Sequence, residues 1–341
     1  MIKQVEIRHK VIGQGYPPFL IAEMACAHQG DVENACDLVN VAIKANADAI
    51  QLQVFKKETY MSPIYKDYDL ITNLELSQNE WSRVIELIKE KDILFFAAGF
   101  DVESIKFLIE QGVDAFKVHS SDISNPEVLK EVGRSKKPVF LGCGASKIGE
   151  IKKGIDFLKK NGTTDIILMH GYQGFPTKIE DSHLNFIKTL ERAFNLNVGY
   201  YDHVDGGTIL ANISPIMAIG YGAQAIEKHF ILTREDKGID YESSLDQEDF
   251  ISFCEILRTS GKAIGSEKIR DFTEGELKYR AYCKKSIIAV DNISKGSKIT
   301  RGKVMFLRGD PGIPPNKFKN IEGKLAKREI SKYHNLTYDD F

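Results

Sequence analysis

Short apolar runs alternate with longer amphipathic ones over most of this chain. The apolar runs are 19–25 (FLIAEMA), 49–54 (AIQLQV), 93–99 (ILFFAAG), 115–121 (AFKVHSS), 138–144 (PVFLGCG), 165–171 (DIILMHG), 197–203 (NVGYYDH) and 225–232 (AIEKHFIL). Between them, segments such as 31–45, 78–91, 102–112, 147–160, 181–194 and 207–220 carry apolar residues at helical spacing. Near-continuous apolar strands are buried on both faces, as in a parallel sheet covered by helices. Eight such strands, each followed by a helix, predict a closed (β/α)8 TIM barrel. An open doubly wound sheet is the alternative. No strand leads into GxGxxG, and polar residues stand at nearly every strand tip, which favours the barrel.

Local signals agree with these elements. Gly30-Asp31-Val32-Glu33 opens the first helix with acidic residues at the positive end of its dipole. Ser77-Gln78-Asn79-Glu80 has the spacing of a capping box. Residues 55–76 form the longest gap, a loop carrying Lys56, Lys57, Tyr60 and Tyr65 on the face where loops serve function.

The pattern changes near Gly265. A charged stretch over 266–284 reads as a linker helix or tether. From Lys285, short β runs separated by Gly, Pro and Lys predict a small β-rich domain over 285–341, too few residues for a large core of its own. The 341 residues thus divide into a barrel over 1–265, a linker and a C-terminal module. A net charge of -2 gives no argument for nucleic acid or membrane as partner. No apolar run reaches membrane-spanning length, and the N-terminus lacks a signal peptide's apolar core. The five scattered cysteines, without CxxC spacing, read as reduced thiols of a cytoplasmic protein.

Polar residues inside apolar strands carry the candidate chemistry. His203 and His229 end adjacent strands, and two such imidazoles can share a divalent ion, Mn²⁺ or Mg²⁺. The bland reading is a pair of satisfied core histidines. Asp202 points away from His203, behind the site. Glu23 is costly in its apolar run unless paired or bound to ligand. Gln51 and Gln53 share one face of their strand, as a ligand-binding pair or a polar interior layer. Lys117 suits an anion, Schiff-base chemistry, or a salt bridge with Glu23. Ser120, Ser121 and Asp122 follow at that strand's tip. Gln173 and Phe175 lie on the loop after strand six, and Asp240 on the loop after strand eight. His170 reads as an internal layer residue rather than a ligand.

Taken in order, the motifs IAE (21–23), HQGD (28–31), ADAIQLQ (47–53), FKVHSSD (116–122), GYQGFPT (171–177), YDH (201–203), EKHF (227–230) and GID (238–240) resemble the sialic acid synthases. These enzymes condense phosphoenolpyruvate (PEP) with an amino-sugar aldehyde to give a nonulosonic acid for surface polysaccharide. The tail from Ser286 is similar to the family's antifreeze-like domain, with Arg308 in FLRGDPGI (306–313) placed to contact the acceptor. The resemblance implies that His203 and His229 bind the metal. It implies that Glu23, Gln53, Asp240 and Arg308 hold the sugar, that Lys117 neutralises PEP, and that Asp122 stands where the family usually has glutamate. A domain-swapped homodimer is implied as well. The chain departs from the family in the phosphate pocket: Gln51 replaces a lysine, while Ala98, Gly142 and Tyr201 replace hydroxyl residues. Losing a cation and several hydroxyls weakens a phosphate site. A different keto-acid donor, or a non-catalytic carbohydrate-binding relative, therefore stay open as alternatives.

Overall fold

A computed structural model describes residues 2–265 and 268–341. The chain forms two compact units, Met1–Ser266 and Glu267–Phe341.

The first unit opens with a hairpin that the hydrophobic pattern does not predict. Its strands β1 (Val5–Ile7) and β2 (Lys10–Ile12) pair antiparallel, and each is too short to show a period. Eight parallel strands then close a barrel: β3 (Phe19–Ala25), β4 (Ala49–Val54), β5 (Leu94–Gly99), β6 (Ala115–Val118), β7 (Val139–Gly142), β8 (Ile166–His170), β9 (Asn197–Asp202) and β10 (Ala225–His229). The barrel closes between β10 and β3, as the alternation of strands and helices predicts. Asp31 caps the helix Val32–Lys44, and Ser77 with Glu80 makes the expected capping box on Gln78–Glu90. The predicted helix over 181–194 is interrupted. A short 3-10 turn, Ile179–Ser182, ends at His183 in the left-handed region (φ 42°), and the helix proper is Phe186–Phe194.

Alternation along each strand builds two cores. Outward residues such as Leu20, Ile50, Phe95 and Phe116 pack under the helices. Inward residues form a separate cluster that includes Phe19, Ile21, Phe96, Phe140, Ile167 and Met169. Phe96 lies 5.6 Å from Phe19 and 4.9 Å from Phe140, centroid to centroid. Val5, Ile7 and Ile12 of the hairpin join this cluster from below. The lower barrel is therefore a solid apolar floor, and chemistry is confined to the strand tips above it.

One buried ion pair belongs to the wall rather than the interior. Lys228 on β10 donates to Asp202 on β9 at 2.5 Å, and both side chains are fully buried. Tyr200 Oη reaches Asp202 and Ser214 of the helix Leu210–Gly220, each at 2.9 Å. Asp202 thus ties β9 to β10 and to its covering helix.

The second unit holds the helix Glu274–Cys283, capped by Thr273, and an antiparallel hairpin, β11 (Lys285–Ala289) and β12 (Val304–Arg308). Turns and isolated bridges complete it around a core that includes Ile287, Ile299, Phe318 and Leu336. Regular strand is thus sparser than the short apolar runs imply. Among the described residues, no helix is long and apolar enough to cross a membrane.

Candidate active site

Pleating aims alternate residues of every strand at the barrel axis, so each strand's parity decides what the site contains. Glu23, Gln51, Lys117, Tyr201, Glu227 and His229 all face inward above the phenylalanine floor and are almost completely buried. Register sets their heights. His229 lies beside Glu23 and Glu23 beside Gln51; Gln53 lies beside Ala98 and Ala98 beside Lys117; Tyr201 lies beside Glu227.

His203 and His229 meet at the mouth with ring centroids 4.9 Å apart. His203 Nδ1 lies 3.0 Å from the Tyr172 carbonyl oxygen. Donating there fixes the proton on Nδ1 and leaves the Nε2 lone pair free. Burial lowers the His203 imidazole to about 3 and holds His229 well below its ordinary value. Both rings are therefore neutral bases at physiological pH, which is the form that ligates a metal. The pair fits a divalent ion as part of its shell. Among the described residues, no group of three His, Cys, Asp or Glu side chains is placed to enclose one. Such an ion would fill its remaining positions with water or substrate oxygen.

Glu23 stands beside this pair. It accepts from the Gln51 amide, from Ala25 N–H at 2.7 Å and more distantly from Gln53. Burial, reinforced by the Glu227 carboxylate, raises the Glu23 carboxyl to about 8 from an ordinary 4.5. The folded chain thus holds a proton at this site that the unfolded chain releases between about pH 4.5 and 8, so stability falls as pH rises through that window. In metal-free protein, Glu23→Gln is expected to flatten this decline, as read by urea denaturation across that range. An unchanged slope would exclude the assignment.

Lys117 does not pair with Glu23. Its ammonium crosses the barrel to Glu227, donating to both carboxylate oxygens, with 2.6 Å to Oε1. It also lies 5.1 Å from the Tyr201 ring centroid. Tyr201 in turn fits only because its neighbours lack side chains. A Cβ on Gly171 would fall 2.1 Å from the Tyr201 ring, and one on Gly144 would fall 1.9 Å from its hydroxyl. Gly171→Ala is accordingly expected to destabilise the fold by about 1–3 kcal/mol through overpacking. Thermal unfolding measures it, and a loss below about 0.5 kcal/mol would show that the ring has room to shift.

The other predicted residues fall into three groups. Gln173 joins the site, donating to Ser120 Oγ at 2.5 Å and to Tyr201 Oη at 3.1 Å. Phe175 is exposed but sets its ring edge-on to His203, with centroids 4.5 Å apart. Asp240 is held in the left-handed region (φ 63°), and burial raises its carboxyl to about 6. Asp122 is engaged locally, accepting from Asn125 at 2.8 Å and Ser121 at 3.1 Å. Arg308 belongs to the second unit, where it lines a cavity of about 750 Å³ with Tyr282, Asp310, Tyr333 and Asn335.

His170 is not in an internal layer: Met169 holds the inward position, while the His170 ring lies among Phe186 and Tyr200 with Nε2 against the Ser182 carbonyl. Glu227, which the sequence offers only as a neighbour of His229 in EKHF, takes a role there that sequence reasoning did not assign, as the partner of Lys117. Its signal was its spacing, two residues before His229 and hence on the same face of the strand.

A family model described as the NeuB family matches residues 38–269. The chain is 34% identical over 340 residues to an uncharacterized protein of Methanocaldococcus jannaschii, covering 99% of each. It is 30% identical over 345 residues to the N,N'-diacetyllegionaminic acid synthase of Legionella pneumophila, covering 96% of this chain and 95% of that one. A crystal structure of N-acetylneuraminic acid (sialic acid) synthetase from Leptospira borgpetersenii, in complex with citrate, matches with a TM-score of 0.75 at 30% identity. That match covers 82% of this chain and 97% of the other. With a family match across most of the barrel and a relative matched from end to end, the chain belongs to the NeuB family.

Proposed function

We propose that this protein is a nonulosonic acid synthase, a transferase joining PEP to an N-acetylated amino sugar for polysaccharide biosynthesis. One observation carries the reading. Two neutral, buried histidines face each other above a protonated carboxyl and a buried lysine, in a chain similar along its length to a legionaminic acid synthase.

His203 and His229 hold a divalent ion, Mn²⁺ or Mg²⁺. When bound there, the ion supplies Lewis acidity that polarises the acceptor's aldehyde. Glu23, Gln53 and Asp240 position the open-chain sugar. Glu23 keeps its proton at neutral pH and can give it to the oxygen that becomes an alkoxide as the donor's C3 attacks. Lys117 neutralises the donor's charge, and Ser120 and Gln173 orient it beside the Tyr201 hydroxyl. Asp122 takes part from the tip of β6, and Phe175 covers His203. Water then adds to the donor's C2 and phosphate leaves. The reading extends to a homodimer in which the second unit, an antifreeze-like domain, brings Arg308 to the partner's acceptor. Five free cysteines are consistent with work in the cytoplasm.

The test is phosphate release from PEP with a panel of N-acetylated hexosamines and either metal. Release that requires both acceptor and metal is expected. Folded, metal-loaded protein that releases none with any acceptor would overturn the proposal. A second reading, a donor without phosphate, is favoured by Gln51, Ala98, Gly142 and Tyr201, which leave the phosphate pocket short of a cation and of hydroxyls. Consumption of pyruvate in place of PEP would establish it.

A further inference from the structure

Lys117 and Glu227 come from opposite walls. β6 and β10 stand four places apart in the ring of eight, yet the two side chains meet at the centre and are 5% and 3% exposed. Among the described residues, no other inward position on the eight strands carries a cation. Lys228, next to Glu227, points to the wall and holds Asp202. Lys56, near the mouth, is tied to Glu103. An anion entering the interior therefore finds the one ammonium there already held by both oxygens of a carboxylate.

An anion cannot simply be added to that pair. A second negative group on Lys117 would sit against Glu227 in a low-dielectric chamber, where like charges repel strongly. We propose that the donor binds by partner exchange: its anionic group displaces Glu227 from Lys117. Glu227 is then a positioning residue that holds the lysine extended across the barrel until the donor arrives. The Tyr201 ring, 5.1 Å from the ammonium, keeps the lysine in place through the exchange. Recognition follows from this. A weak or singly charged anion fails to displace a carboxylate already in place, whereas a donor carrying both carboxylate and phosphate can. The choice of PEP as probe rests on the synthase reading; the exchange itself concerns any competing anion.

Calorimetric titration of metal-free, full-length protein tests the exchange, with PEP and inorganic phosphate as separate probes. Glu227→Gln removes the competitor and is expected to tighten PEP about tenfold or more, with Glu227→Asp tightening it less and Lys117→Gln abolishing it. Equal or weaker affinity of both probes for Glu227→Gln would overturn the proposal. Tighter inorganic phosphate with no PEP binding to any variant would uphold the exchange and remove PEP as donor. Should Glu227→Gln fail to fold, Glu227→Asp decides: its shorter side chain loosens the pair, and unchanged affinity for both probes overturns the exchange.

Discussion

Alanine at His203 or at His229 is expected to lower turnover at least about 10³-fold, since a metal's contribution of several kcal/mol is withdrawn at about 1.4 kcal/mol per decade. The structure makes the loss abrupt. On the proposed reading the ion has two protein ligands, and among the described residues no third donor is placed to compensate, so removing either leaves one imidazole. Titration of Mn²⁺ into each variant should show binding lost along with activity. The fold should survive, because both rings stand above the packed floor rather than within it. Retained metal affinity in either single variant would mean that the ion is held elsewhere.

Lys228→Met is expected to act in the opposite sense, costing about 3–5 kcal/mol of stability while leaving the chemistry of the folded fraction alone. Lys228 and Asp202 are fully buried, so removing the cation strands a carboxylate beneath the helix Leu210–Gly220. Replacing both partners, Lys228→Met with Asp202→Leu, should restore stability to within about 1–2 kcal/mol of the starting protein, since a well-packed apolar pair often matches a buried ion pair. Tyr200 would keep its bond to Ser214. Urea denaturation of the single and double variants separates the cases; a single variant losing less than about 1 kcal/mol would contradict the burial. Two lysines of the barrel thus differ by direction alone. Lys117 points into the chamber and Lys228 into the wall.

The strands were legible because burial on both faces makes them continuously apolar, and their polar tips marked the mouth. That same double burial hides which parity faces the axis. Nothing local in 165–171 says whether His170 or Met169 points inward; closure of the ring decides it. The histidine pair was readable since both residues end adjacent strands. The Lys117–Glu227 contact was not, because it joins residues 110 positions apart from opposite walls. The β1–β2 hairpin escaped because three-residue strands carry no period. The break at His183 depends on a left-handed residue that helical spacing does not reveal.

The phenylalanine floor has a kinetic consequence. With Phe19, Phe96 and Phe140 closing the lower barrel and the hairpin packed beneath, the chamber is a cul-de-sac. Glu227, which grips Lys117, lies two residues, about 6–7 Å along the same strand, further from the mouth than His229. Two ligands sharing one doorway must queue. The molecule that reaches the lysine enters first, the one that meets the histidines enters second, and departure runs in reverse. Steady-state turnover should therefore follow a compulsory order, with the shallow ligand trapping the deep one behind it.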